Sequence, residues 1–158
     1  MRLQHIFIIC LSALVFSQCS NKTKYSETVE IPESTWAKDD IIRFSIPVTD
    51  TNTEYSLTLD ICNNEKYQYS NLYLFTNIIF PDNTFYRDTV EFILADNQGE
   101  WIGDKSFSSY TNTFLFRQGV KFPQTGTYII SFEQAMRCKN ESCSITGIKS
   151  LSLSLIQK

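Results

Sequence analysis

Apolar and polar residues alternate along most of the chain after residue 38, which is the pattern of half-buried β-strands. The clearest case is Tyr55–Ile61, in which every second residue is large and apolar. A short strand or loop is expected to begin at Trp101. Six further segments with alternating or continuous apolar residues are predicted as strands: 39–47, 72–80, 85–95, 113–118, 127–136 and 145–156.

Turn-forming residues separate these segments. Pro81-Asp82-Asn83 lies between segments 72–80 and 85–95, so the two are expected to form a hairpin. No segment shows a convincing 3.6-residue period. About eight short strands at turn-punctuated spacing predict an all-β fold, an antiparallel β-sandwich or a jelly-roll-like arrangement.

The first residues have the layout of a secretory signal. A short basic start precedes the apolar run Ile6–Phe16, and Cys19 follows the run with Gln18 before it. The run is about half of the ~20 residues that a membrane-spanning helix needs. A cysteine at this place resembles a bacterial lipobox, so we expect cleavage before Cys19 and a lipid on its sulfur. The alternative is an ordinary signal peptide followed by an incidental cysteine.

These patterns divide the chain into three parts. Residues 1–18 are predicted as a lipoprotein signal peptide, residues 19–38 as the lipid attachment site and a polar tether, and residues 39–158 as one β-sandwich domain. Loss of Arg2 with the signal leaves 13 basic and 17 acidic residues, a net charge of −4. A mildly acidic chain without a basic cluster argues against nucleic-acid binding.

Three cysteines follow Cys19. Cys138 and Cys143 flank a polar loop and are candidates for a local disulfide, which an exported protein can keep. Cys62 lies in an alternating segment and is expected to be a buried free thiol. Such a set is too small for a zinc site, so no metal is expected.

The only histidine, His5, belongs to the signal. The mature chain therefore has no Ser-His-Asp triad or Cys-His pair, and it carries no glycine-rich phosphate loop, so no cofactor is expected. Glycoside hydrolysis needs only two carboxylates. Nothing in the spacing of the acidic residues selects a pair, and turn or surface carboxylates are the simpler interpretation. The candidates are Asp82, Asp88, Glu91, Asp96, Glu100, Asp104 and Glu133.

Aromatic and charged residues suggest two contact surfaces. Trp101 with nearby tyrosines would form a sugar-stacking platform, unless these rings pack in the core. Glu133 and Arg137 end a strong strand, and a bend would let them form a structural ion pair or a partner-docking edge. The tyrosines of the candidate platform are Tyr67, Tyr69, Tyr73 and Tyr110.

Two blocks of residues resemble the gliding-motility lipoproteins of Bacteroidetes, the H member (GldH). The first block is Phe80-Pro81-Asp82, Asp88 to Phe92, Leu94 to Asp96, Gly99, Trp101 and Gly103. The second is Gly126 to Tyr128, Phe132 to Arg137, and Gly147-Ile148. The resemblance implies a non-enzymatic envelope lipoprotein that is held to a membrane by lipid and contacts other envelope or gliding-machinery proteins.

The resemblance also implies a modification site, because Asp88-Thr89-Val90 resembles the sequences at which Bacteroidetes attach O-glycans. The alternative is that Thr89 is an ordinary polar residue of a hairpin strand.

Asn21 and Lys22 differ from the acidic tract that accompanies surface display, which favours the periplasmic face of the outer membrane. The sequence leaves three functions open: an envelope interaction protein, a carbohydrate-binding module and a histidine-free glycosidase.

Overall fold

A computed structural model describes residues 22–137 and 143–157. These residues form eleven β-strands and one 3-10 helix, Pro32–Ser34. No helix in this described part has the length and apolar composition needed to cross a bilayer. The strands are β1 (Lys22–Glu30), β2 (Thr35–Ala37), β3 (Ile42–Val48), β4 (Tyr55–Asn64), β5 (Asn71–Ile79), β6 (Phe85–Ile93), β7 (Asp104–Ser106), β8 (Ser109–Val120), β9 (Gly126–Gln134), β10 (Ser144–Thr146) and β11 (Ile148–Gln157).

The strands form three antiparallel sheets, which confirms the predicted all-β sandwich. The larger sheet has the order β1-β11-β4-β8-β7, and the second has the order β3-β9-β5-β6. A small two-stranded sheet pairs β10 with β2. The strand count exceeds the prediction of about eight because β2 and β7 have only three residues each, β1 is an edge strand, and Gly147 separates β10 from β11.

Alternation along the strands produces the core between the two large sheets. Phe44 and Ile46 of β3 and Leu59 of β4 are fully buried, as the period of two predicts. Aromatic rings connect the layers: Phe132 lies 5.9 Å from Phe44 within its own sheet and 5.6 Å from Phe116 of the opposite sheet, measured between ring centroids.

The prediction of a tether over residues 19–38 is wrong for its described part. Lys22–Glu30 pairs with β11 along its whole length, and the hydroxyl oxygens of Ser26 and Ser154 lie 2.9 Å apart across that pair. Trp36 of β2 is 1% exposed, and its indole N–H donates to the Asp40 carbonyl at 2.7 Å. Because an edge strand with an exposed face requires few apolar residues, β1 lacks the alternation that would identify it.

The predicted hairpin is confirmed. β5 and β6 pair in register from Asn71 opposite Ile93 to Ile79 opposite Phe85. Asn83 adopts a φ of 65° in the turn, and the Thr84 N–H donates to the Asp82 carboxylate at 3.0 Å. The Asp-Asn turn therefore closes the hairpin with its own side chains.

Strand direction defines two ends of the sandwich. At one end Lys22 pairs with Gln157, and loops 49–54, 80–84 and 121–125 connect neighbouring strands. We call this the Lys22 end. At the opposite end, the Phe107 end, the turn between β7 and β8 lies together with β2, β10 and loop 65–70.

Candidate contact surface

A charged cluster occupies the outer face of the four-stranded sheet. An Arg87 Nη atom lies 3.2 Å from a Glu133 carboxylate oxygen, and Arg87 also donates to the Asn77 side-chain oxygen at 3.0 Å. Asn77 donates in turn to Glu133 at 2.8 Å. The Arg87 guanidinium stacks over the Phe75 ring, 4.5 Å from its centroid, which adds a cation–π contact.

Arg87 is the residue that sequence reasoning missed. The predicted ion pair between Glu133 and Arg137 is wrong, because the cation beside Glu133 belongs to the neighbouring hairpin. Arg137 instead lies near Tyr73. The Tyr73 pKa is raised because its hydroxyl donates to the Glu91 carboxylate, and the Arg137 charge partly opposes that shift.

A shallow groove of about 610 Å³ lies beside this cluster. Of the residues predicted to make contacts, it brings together Tyr69, Tyr73 and Arg137, beside the predicted glycosylation site Thr89. The pairing of Phe75 with Glu133 places Glu133 next to it. Thr89 is exposed, and its backbone N–H donates to the Asp88 carboxylate at 2.8 Å. The groove is lined by Tyr69, Tyr73, Phe75, Thr89, Ala135, Met136 and Arg137.

The aromatic platform predicted around Trp101 does not form. Trp101 is half-buried between Tyr67 and Tyr110, with ring centroids 6.3 and 5.8 Å away. Tyr67 and Tyr110 are themselves buried, so their faces are not available to a sugar. Burial raises the Tyr67 pKa, and its hydroxyl donates to the Asn71 carbonyl at 2.7 Å. The carbohydrate-binding alternative therefore loses Trp101, Tyr67 and Tyr110, whereas Tyr69 is half-buried and Tyr73 is exposed in the groove.

Two of the candidate catalytic carboxylates, Asp82 and Asp96, have local structural partners. Asp96 accepts the backbone N–H groups of Gln98 and Glu100, which closes its own turn. Asp82 accepts both the N–H and the hydroxyl of Thr84, and these hydrogen bonds lower the Asp82 pKa. Such contacts are those of turn carboxylates, and no sequence-predicted acid–base pair emerges from them.

The cysteines are described only in part. Cys62 is a free thiol on the outer face of β4 and is half-buried, so the prediction that it is buried is wrong. Cys143 is disulfide-bonded. Cys138, its predicted partner, and Cys19 both lie outside the described residues. Within residues 22–137 and 143–157, no group of three or more His, Cys, Asp or Glu side chains is arranged to hold a metal ion.

Four exposed apolar side chains lie on two strands at one side of the sandwich, with Phe85, Tyr86 and Ile93 on β6 and Leu115 on β8. In the described part of the chain every large hydrophobic residue that is exposed falls between residues 73 and 115, although the core strands extend to residue 157. Phe107, at the turn between β7 and β8, is 98% exposed. The full set is Tyr73, Phe85, Tyr86, Ile93, Ile102, Phe107 and Leu115.

Two free strand edges meet on this side. β6 is the last strand of its sheet, and β7 covers β8 only as far as Thr111. Arg117 of β8 lies 3.7 Å from the Asp88 carboxylate, and the rings of Phe92 and Phe114 are 4.9 Å apart across the junction. We define the contact flank as β6, residues 112–120 of β8, and the turn at Phe107.

Comparisons with known proteins identify relatives over most of the chain. The family model described as GldH lipoprotein matches residues 23–155. The gliding motility lipoprotein GldH homolog of Christiangramia forsetii is 34% identical over 146 residues, which cover 92% of this chain and 87% of that protein. Gliding motility lipoprotein GldH of Flavobacterium johnsoniae is 29% identical over 151 residues, covering 96% of this chain and 91% of that protein.

Among solved structures, the chain aligns with dimeric latent PorU from Porphyromonas gingivalis. The TM-score is 0.38 at 4% sequence identity, over 87% of this chain and 13% of that one. A similarity of this size carries no argument about fold or function.

Proposed function

Because the chain belongs to the GldH lipoprotein family, we propose that it is a lipid-anchored, non-enzymatic envelope protein that acts by binding other envelope or gliding-machinery proteins. The lipid is attached to Cys19, and the folded domain lies on the periplasmic face of the outer membrane. Its two relatives support the envelope setting, because both are named as gliding motility lipoproteins or homologs of one.

The contact flank is the observation that carries the binding role. Exposed apolar groups cost free energy in water, so a cluster of them on one side of a domain is typical of a surface that another protein covers. The flank also presents unpaired backbone groups of β6 (Phe85–Ile93), to which a partner strand can add. The ion pair Asp88–Arg117 within the flank, and Arg87, which reaches from the flank to Glu133 of β9, would fix the register of such a partner.

A pull-down from gently solubilised membranes tests the binding role. The flank variant Tyr86→Ser/Ile93→Ser/Leu115→Ser should lose envelope proteins that co-purify with the wild type. All three side chains are exposed, so the variant should keep its far-UV circular dichroism and unfolding midpoint.

The matched control changes the hydroxyl-rich outer face of the other sheet, as Ser26→Ala/Thr28→Ala/Ser152→Ala. This control should retain the partners. Repeated recovery of the wild-type lipoprotein alone, or equal recovery of partners with both variants, would contradict the proposed function.

The anchor has its own test. Cells fed radiolabelled palmitate should label the wild type but not Cys19→Ala, and membrane fractionation should place the labelled protein in the outer membrane. Resistance of that protein to protease added to intact cells would support the periplasmic face. Labelling of Cys19→Ala would contradict the assigned attachment site.

Two smaller assignments belong to the same proposal. Thr89 is exposed on β6 and is open to O-glycan attachment, so Thr89→Ala should lower the mass of the native protein by more than the substitution itself.

Cys143 is disulfide-bonded, and Cys138 is the proposed partner across the intervening loop. A Cys138–Cys143 peptide in a non-reducing digest would establish that pairing; a peptide joining Cys143 to another cysteine would refute it.

A further inference from the structure

The short distance along the chain between the anchor and the first strand limits how the domain can lie on a membrane. β1 begins at Lys22, three residues after Cys19. Three residues span at most about 10 Å when fully extended. A lipid on Cys19 therefore holds Lys22 within about 10 Å of the bilayer surface.

From this constraint we infer that the sandwich stands on the bilayer with its Lys22 end, and that Phe85 lies in the headgroup region. The inference rests on the proposed lipidation of Cys19. The interaction surface is the Lys22 end, with loops 49–54, 80–84 and 121–125, and its ligand is the phospholipid surface itself.

The residues of the Lys22 end suit contact with lipid headgroups. Phe85 is 75% exposed at the first position of β6, and aromatic rings are favoured at the membrane interface. Lys22 and Lys24 are exposed on the same end, where lysine ammonium groups can reach lipid phosphates. An apolar cavity of about 260 Å³ lies at this end beside loop 121–125, with Phe80 and Phe122 in its wall.

The charges at this end nearly balance, so attraction to anionic lipid alone would not set the orientation. Lys121 lies 3.4 Å from the Glu54 carboxylate, and Asp50 and Asp82 accept hydrogen bonds in their own loops. The lysines and acidic side chains therefore oppose one another over a short distance. The covalent anchor brings the Lys22 end to the bilayer, and insertion of the exposed Phe85 ring at that end selects the upright orientation.

In the inferred orientation the Phe107 end lies away from the bilayer. Strand β8 has twelve residues between the two ends, which corresponds to about 40 Å at the rise of an antiparallel strand. Both native tryptophans belong to the distal half: Trp36 lies in β2, which pairs with β10, and Trp101 packs against Tyr67. The contact flank then runs from the bilayer outward.

Fluorescence quenching in vesicles tests this orientation. The full-length lipidated protein is reconstituted into vesicles of phosphatidylethanolamine and phosphatidylglycerol, with and without a phosphatidylcholine that carries a nitroxide on its headgroup. Phe85→Trp should lose more tryptophan fluorescence to the nitroxide than the wild type does. Phe107→Trp, the matched control at the other exposed phenylalanine, should lose no more than the wild type.

The outcomes separate the orientation from the anchor. Quenching of Phe107→Trp beyond the wild type, or a Phe85→Trp signal equal to that of the wild type, would overturn the orientation. If the protein still floats with the vesicles, the anchor is unaffected by that result. Failure of the wild type to float with vesicles, or flotation of Cys19→Ala as efficiently as the wild type, would instead count against the proposed lipid anchor.

Discussion

At Gly147 the chain passes so close to Tyr67 that no side chain fits between them. The residue has a φ of +105°, and a Cβ placed on it would lie 2.2 Å from the Tyr67 backbone nitrogen. Its N–H donates to the Ser34 carbonyl at 2.7 Å, and its carbonyl accepts from the Asn64 N–H at 2.8 Å. One glycine therefore joins the start of β11 to two other segments.

We predict that Gly147→Ala lowers the free energy of unfolding by about 3 kcal/mol or more, because backbone strain adds to a clash with backbone atoms that cannot move freely. The control is Gly119→Ala. Gly119 also has a positive φ, +66°, but nothing lies within 4 Å of its added Cβ, so only about 1–2 kcal/mol is expected. Urea unfolding measures both. Equal losses in the two variants would show that the approach to Tyr67 is unimportant.

A second pair of substitutions separates core from surface. Phe132→Ala should cost about 3–5 kcal/mol, since the ring is fully buried and links the two sheets through Phe116. Phe107→Ala should change stability by less than about 0.5 kcal/mol, because the ring is exposed and both residues are equally strained at its positive φ. Thermal unfolding distinguishes them; a large loss at Phe107 would reveal packing that its exposure does not indicate.

At the level of elements, β1 (Lys22–Glu30) is the feature whose assignment changed most, from a tether to a strand. We predict that hydrogen exchange of a peptide covering residues 22–30 is markedly slower than that of loop 49–54, because backbone bonds to β11 protect its amides. Mass spectrometry of the exchanged protein measures this. If the amides of residues 22–30 exchanged as fast as those of loop 49–54, this segment would behave as the tether that the sequence predicts.

The elements that sequence predicts well are those buried on one face. β3 and β4 alternate because every second residue meets the opposite sheet, so periodicity alone locates them. β1 and the first residues of β8 were missed because edge and polar positions need no apolar period. The ion-pair partner of Glu133 is hard to predict for another reason. Arg87 lies 46 residues away in the sequence, and only the register of the strands brings the two side chains together.

Residues with no partner in the fold are equally hard to predict. Phe107 follows Ser106 in a turn, outside any alternating segment, and nothing in the pattern distinguishes it from a core aromatic. Trp101 shows the converse error, since its surroundings of Tyr67 and Tyr110 come from distant segments. Exposure is a property of the assembled sheets, so the contact flank required the structure.

For the molecule as a whole, the arrangement proposed above divides the surface by its distance from the bilayer, with the contact flank running between the two ends. The Lys22 end meets lipid, the contact flank is reached from the side, and the Phe107 end is the most distant from the bilayer. A partner held in the same membrane would therefore approach along the flank, parallel to β6 (Phe85–Ile93). Addition of a partner strand along that direction would align the partner with this domain. No linker between the Cys19 anchor and the domain would be needed for that alignment.

The same whole-molecule view sets the pH dependence of stability. No histidine follows His5, so no side chain whose ordinary pKa lies between pH 5 and 8 titrates in the mature chain. Hydrogen bonds from Thr53 and Thr84 lower the pKa values of Asp50 and Asp82 below their ordinary 3.8. A lowered folded-state pKa gives stability that is present above the unfolded value and disappears as the pH falls through the folded value.

We therefore predict that the free energy of unfolding is flat from about pH 5 to 8 and decreases below about pH 4. Asp50→Asn/Asp82→Asn should show a smaller decrease between about pH 4 and 2, because an amide oxygen still accepts from the threonines but no longer titrates. At alkaline pH, burial raises the pKa of Tyr67 above its ordinary value of 10. The stability that comes from keeping this hydroxyl protonated in the folded state is therefore lost only as the pH rises above 10. Urea unfolding across this range measures the profile, and a step between pH 6 and 7 would contradict the assignment.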